Sequence, residues 1–197
     1  MILSRRDLSE YLDSDSILYP KVSSVIGRIK NRIVTNPINT QYWIYLYIRC
    51  LRHSEYYINN SIFTQKASIS SILKTFPAVY YYWKLRRISY KTGFQIAPNC
   101  IGKGLQIWHY GYIIINPKVR IGDNLTIYPG VEIGHKIPGG GCPIIGDNCF
   151  IGAGAKIFGD IIIGNNVTIA PNAVVTKGVP DNCVVGGIPA GIIKYKQ

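Results

Sequence analysis

From residue 115 onward an aliphatic side chain returns at every sixth position. Ile115, Ile121, Ile127, Ile133, Ile145, Ile151, Ile157, Ile163, Ile169 and Val175 form the series, and Gly139 alone interrupts it. Four places after each runs a second series, with Val119, Leu125, Val131, Cys149, Ala155, Ile161, Val167, Ala173 and Val179 among its members. Glycine often follows the first series, as at Gly122, Gly134, Gly146, Gly152 and Gly164. A helix of 3.6 residues per turn cannot hold a period of six on one face, and no single strand runs so long. Short strands wound into the flat sides of a triangular prism satisfy the pattern: the branched residue points inward and small residues take the corners. Gly122–Asn124, Gly146–Asn148 and Gly164–Asn166 supply corners where positive φ is tolerated. Successive coils then pair backbone to backbone, so open edges remain only at the ends.

The phase survives residues 134–144 but the pattern does not. His135, Pro138, Gly139, Gly140, Gly141, Cys142 and Pro143 crowd this stretch, which reads as a loop thrown off one coil. Loops on rigid scaffolds are where sites are commonly assembled. Before residue 93 the chain has another character. Eleven of the 15 tyrosines lie there among Arg and Lys, and Gly27 is the single glycine. The apolar spacing suits helices, with Pro20, Pro37 and Pro77 dividing three or four short ones and Ser4 with Asp7 placed as a first cap. Two domains follow: α-helical over 1–92, and a repeat prism over 93–197 with its loop at 134–144.

Composition sharpens this picture. The 197 residues carry a net charge of +12, yet only 16% are charged and 47% are hydrophobic, so a disordered basic chain is excluded. The excess is uneven. Residues 1–92 hold 14 basic and five acidic side chains, against eight and five in the remainder. Such a surplus suits polyanions: nucleic acid, a membrane surface or phosphate-bearing small molecules. No nucleic-acid-binding motif accompanies it, so nucleic acid is not expected as a partner. Cys50, Cys100, Cys142, Cys149 and Cys183 make no Cys-x-x-Cys pair and have no histidine at ligand spacing, so neither a disulfide framework nor a metal is expected. With no signal-peptide core and no apolar run of about 18 residues, a cytoplasmic setting is the expectation.

Three stretches carry a family resemblance: Ile101–Ile114, Ile151–Ile157 and Gly186–Lys194. Over residues 93–194 the chain resembles the hexapeptide-repeat acyltransferases, and among them the serine acetyltransferase branch. The resemblance implies a mainly β fold, a left-handed parallel β-helix preceded by a small α-helical domain. It further implies acetyl transfer from acetyl-CoA, and a homotrimer with active sites between subunits.

Transfer to an alcohol calls for a base, and a neutral imidazole suits pH 7. His53 lies in a charged run and reads as a solvated helix residue. By resemblance His109 falls on the family's catalytic base, and His135 resembles a histidine used by sugar acetyltransferases of the wider family. The family's acidic partner of the base aligns with Gln95, which leaves an amide, or Glu132 of a neighbouring chain, to orient the ring. Trp108 replaces an Asp that helps bind serine, and Gly141 with Cys142 replaces an Arg-His pair that grips its carboxylate. An amino acid needs a counter-charge at each end, whereas Trp108 flanked by Tyr110 and Tyr112 suits a sugar ring. The expected acceptor is therefore a saccharide hydroxyl, of a surface polysaccharide or its precursor, with serine O-acetylation for cysteine synthesis as the alternative. On the donor side, the resemblance places Ala153, Pro171, Thr176, Lys177 and Lys194 on acetyl-CoA, Gly154 leaves room for its pantetheine arm, and Lys156 is a further candidate for its phosphates. Arg28, Lys30, Arg32, Arg86, Arg87 and Lys91 are expected to contact an anionic bilayer peripherally or to form a solvated cap.

Overall fold

The computed structural model describes residues 1–17, 19 and 41–196. Pro20, Pro37, Arg28, Lys30 and Arg32 lie outside them. Three described helices precede the prism: α1 (Arg5–Asp15), α2 (Gln41–Asn59) and α3 (Ile69–Thr92). The Ser4 hydroxyl accepts from the Asp7 amide while the Asp7 carboxylate accepts from the Ser4 amide, so the first helix begins on a reciprocal cap. Pro77 does not end a helix, contrary to its sequence reading; it sits inside α3. The carbonyl its ring leaves unpaired is that of Leu73, a residue 65% exposed, where water can take the bond. The α3 helix stops at Gly93 in the left-handed region (φ 81°), and the first strand starts at Phe94.

Three sheets make the prism. The first face stacks β1 (Phe94–Ile96), β3 (Ile113–Ile115), β6 (Glu132–Gly134), β9 (Lys156–Phe158) and β12 (Val174–Val175). The second stacks β4 (Arg120–Ile121), β7 (Ile144–Ile145) and β10 (Ile162–Ile163). The third stacks β2 (Gln106–Ile107), β5 (Thr126–Ile127), β8 (Phe150–Ile151), β11 (Thr168–Ile169) and β13 (Cys183–Gly187), and ends on β14 (Ala190–Tyr195), the one antiparallel partner among them. The chain is thus a left-handed parallel β-helix behind a helical N-terminal region.

Register explains the sixfold period. Ile115 pairs with Ile133, Ile133 with Ile157 and Ile157 with Val175, and all four are buried. These steps are 18, 24 and 18 residues. The loop after β6 therefore inserts one whole hexad, which is why the phase survives it. At one corner an Asp or Asn side chain of each coil receives an amide from the coil before: Lys103 donates to Asp123, Asp123 to Asp147, Asp147 to Asn165 and Asn165 to Asp181, over 2.6–3.0 Å. Beside them Asn124, Asn148, Asn166 and Asn182 adopt positive φ.

The open end of the prism is closed by helices. Tyr47 packs edge-on against Phe94, and the Tyr19 hydroxyl exchanges hydrogen bonds with the Ile107 backbone. Fully buried Arg52 binds Asp15 at 2.7 Å, Glu55 at 3.0 Å and the carbonyls of Ile101 and Gly102. Glu55 also accepts from the Asn99 amide, and Asp15 from that of Leu105. One apolar core consequently runs from α2 into the last coil.

Candidate active site

The first face carries an outward row of Gln95, Ile114, Glu132 and Lys156, in register from coil to coil. Together with the C-terminal half of α3 this face walls a cleft of about 490 Å³. Tyr82, Leu85, Arg86 and Ser89 line it from the helix, and Gln95, Asn116, Glu132 and His135 from the prism. His135 is the first residue of the long loop, so β6 fixes its backbone, and its Nδ1 lies 3.0 Å from the Asn116 side-chain amide. Glu132 accepts from Lys156 at 2.8 Å, and the same ammonium reaches the Tyr112 hydroxyl and the Gly130 carbonyl. These bonds hold Lys156 charged despite its desolvation, and they leave it no free donor for a phosphate. One wall thus carries a guanidinium, the other a carboxylate and an oriented imidazole. Sequence reasoning missed Arg86 and Asn116 as site residues. Arg86 reaches the cleft only because α3 folds back along the first face, and no local motif announces that.

His109 stands elsewhere. It is exposed on the corner between the third and first faces, where its ring tilts against Tyr128 at 5.9 Å. His135 lies at the other edge of the same face, so within one chain the two imidazoles occupy different corners. Gln95 is on the cleft row and not beside His109. Ala153, Gly154 and Pro171 continue the His109 corner in later coils: the Gly154 amide donates to Pro129, and that of Asn172 to Ala153. Gly154 has a structural reason to be glycine, since its φ is 75° and a Cβ would come within 2.1 Å of the Asn172 side chain. Thr176 and Lys177 follow β12 at the His135 corner, and Lys194 is exposed on β14. The residues singled out for the donor are therefore divided between two corners.

Several expectations change here. Cys142 is buried in the prism core, 8% exposed. His53 is half-buried: its ring stacks on Tyr81 at 4.8 Å and its Nδ1 meets the Arg49 carbonyl. The aromatic residues near His109 stack on one another. Trp108 lies parallel to Tyr128 (6°, 6.0 Å), which in turn packs on Phe150. Tyr112 sits under the Lys156 ammonium at 5.0 Å. The Tyr110 hydroxyl is buried without a partner among the described residues, and burial pushes its phenol up to about 12. Among the described residues no cluster of three or more His, Cys, Asp or Glu could hold a metal, and no helix is long and apolar enough to cross a membrane.

The family model described as bacterial transferase hexapeptide (six repeats) matches residues 142–177. The serine acetyltransferase of Staphylococcus xylosus is 47% identical over 106 residues, which are 52% of this chain and 49% of the relative. That of Staphylococcus epidermidis is 47% identical over 108 residues, 53% and 51% of the two chains. The chain thus spans about half the length of the curated relatives it matches. Among solved structures, serine acetyltransferase from Brucella abortus superposes with a TM-score of 0.68 at 25% identity, over 98% of this chain and 71% of that one. The same enzyme in complex with coenzyme A gives 0.66 at 25% identity, over 98% and 70%.

These relatives correct the expectation of a saccharide acceptor, because they are named for serine. Trp108 is stacked on Tyr128 on one side and remains 43% exposed, while charged groups gather in the cleft, where Arg86 and Glu132, itself paired with Lys156, line the walls. The chain thus carries a hexapeptide-repeat β-helix that matches the bacterial transferase family model over residues 142–177, and it is similar to the serine acetyltransferases.

Proposed function

We propose that the protein is an acetyl-CoA-dependent O-acetyltransferase whose acceptor is serine. One observation carries this reading: a single cleft sets Arg86 on one wall opposite Glu132 and His135 on the other. An amino-acid zwitterion needs a cation for its carboxylate and an anion for its ammonium, and its hydroxyl then lies among groups able to accept a proton. His109, as the resemblance implies, takes the hydroxyl proton as the oxygen attacks the thioester carbonyl. A tetrahedral oxyanion forms and collapses, the C–S bond breaks, and the imidazolium returns the proton to the CoA thiolate. Asn116 holds the His135 ring in place against the acceptor.

The arrangement is completed in a homotrimer. Both the histidines and the donor-side residues are divided between two corners of the prism. A groove where the His109 corner of one chain meets the His135 corner of the next collects them, and this head-to-tail contact closes as a ring of three. Ala153, Gly154 and Pro171 would then line the acetyl-CoA arm from one chain, with Thr176 and Lys177 facing it from the other. Lys194 remains beside them for the phosphates. Thiol release from acetyl-CoA tests the reading. Serine should sustain turnover, and His109→Ala should lower the rate by on the order of 10²–10⁴. Absence of serine-dependent thiol release from the purified protein would sink the proposal.

A further inference from the structure

The α3 helix has two apolar seams, and the described residues cover only one. Ser71, Ala78, Leu85, Ile88 and Thr92 are buried against the rest of the chain. On the opposite side Ile69, Phe76, Trp83 and Tyr90 recur every seven residues, 81, 75, 53 and 84% exposed. A two-residue offset is about 200° around a helix, so the second seam points directly away from the first. Ile72, Leu73, Val79 and Tyr80 widen it into a broad apolar stripe. Exposed Phe63 prolongs it beyond the helix, where an apolar groove of about 400 Å³ opens between Ile58, Phe63, Ala78, Val79 and Trp83. Monomeric proteins rarely leave so long a continuous patch bare.

Charge selects the occupant. From residue 56 to residue 122 the sequence has nine Lys and Arg and no acidic residue. Towards the C-terminal end of α3 the Arg87 guanidinium lies 4.6 Å over the Trp83 ring on the outer side, and exposed Lys91 stands at the edge nearer α2, its ammonium 4.8 Å over the Trp43 ring. A second copy laid parallel would bring these cations together, and one laid antiparallel would set them against its apolar N-terminal half, with no carboxylate on either helix to pair them. A bilayer of anionic lipid meets both halves of the pattern. Its acyl region takes the apolar stripe, its headgroups pair the cations, and tryptophan and tyrosine suit the boundary.

We propose that the outer face of α3, centred on Phe76 and Trp83 and flanked by Arg87 and Lys91, docks the protein on anionic membrane surfaces. The helix N-terminal half enters the interface, and the prism, joined at the C-terminal end of α3, stays in water. This proposal is independent of the acceptor, since the docking residues named lie outside the cleft.

Flotation with phosphatidylcholine vesicles, with and without about 30% phosphatidylglycerol, provides the test. Retention is expected on the anionic vesicles at low salt, declining as salt rises. A Phe76→Ser, Trp83→Ser double variant should reduce retention at least about tenfold, and so should Arg87→Glu with Lys91→Glu. Unchanged thermal unfolding of both variants shows that folding is not the cause. Equal retention of the variants and the wild type, or no retention on anionic vesicles, overturns the proposal. So does sedimentation in which the Phe76→Ser, Trp83→Ser variant breaks up a larger assembly while vesicle binding stays the same.

Discussion

At the scale of single residues, environment decides roles that residue type leaves open. His53 is pressed between α2 and α3, against Tyr81 and near the cations Arg49 and Lys84, and burial holds its imidazole below the ordinary histidine value. The folded state thus binds a proton here less readily than the unfolded chain. Stability from this site is full above about pH 6.5 and is lost as pH falls through the lowered folded value. Thermal unfolding followed from pH 7.5 to pH 5 should show this loss, and His53→Phe should flatten that part of the profile. An unaltered slope in the variant would place the titration elsewhere. Arg86 offers the corresponding functional test. If it binds the acceptor carboxylate, Arg86→Ala removes a charge-assisted hydrogen bond of about 1.5–3 kcal/mol. KM for serine should then rise about ten- to a hundredfold while kcat changes little. A fall in kcat at constant KM would remove Arg86 from the acceptor site.

Among elements, the buried junction of α1, α2 and the first coil is where the helical region and the prism act as one body. Arg52 is surrounded by two carboxylates and two carbonyls, and the attraction of Asp15 and Glu55 keeps it charged despite burial. Arg52→Ala leaves those carboxylates unpaired and should cost about 3–5 kcal/mol, read as a lower midpoint in denaturant. Asp15→Asn should be milder, because Glu55 still compensates the guanidinium. If Arg52→Ala unfolds the helices but spares the prism, circular dichroism will show two transitions, and the single core is not cooperative. The prism was legible in the sequence because each short strand of a coil turns an aliphatic inward and each corner needs a small or left-handed residue. Ile133 and Ile157 keep that phase even across the loop. The Ser4 cap was legible for the same local reason. Pro77, Arg52 and Arg86 were not. Their roles depend on which carbonyl faces water and which helix lies across which face, and neither is written within a few residues of them. The saccharide expectation rested on a local cluster of aromatic residues at Trp108, Tyr110 and Tyr112, and such a cluster does not by itself select the acceptor.

The whole molecule raises a question of where one site ends and the next begins. His109 and His135 lie on different corners of one prism, and the donor-side residues divide in the same way. If both imidazoles serve one reaction, they must come from different chains. His109→Ala and His135→Ala chains, each impaired alone, should therefore complement when co-expressed. In a ring of three that contains both kinds of chain, one groove in about three pairs an intact His109 corner with an intact His135 corner. Differently tagged chains purified in tandem should recover serine-dependent thiol release to about that fraction. Mixing after assembly should recover none until the rings exchange subunits. Two arrangements predict otherwise. A site contained in one chain gives no recovery under any mixing, because every chain lacks one of its two histidines. A reaction that needs only His109 leaves the His135→Ala protein active before any mixing begins. The division of the corners favours the shared groove over both, because it accounts for the histidines and the donor residues with one contact.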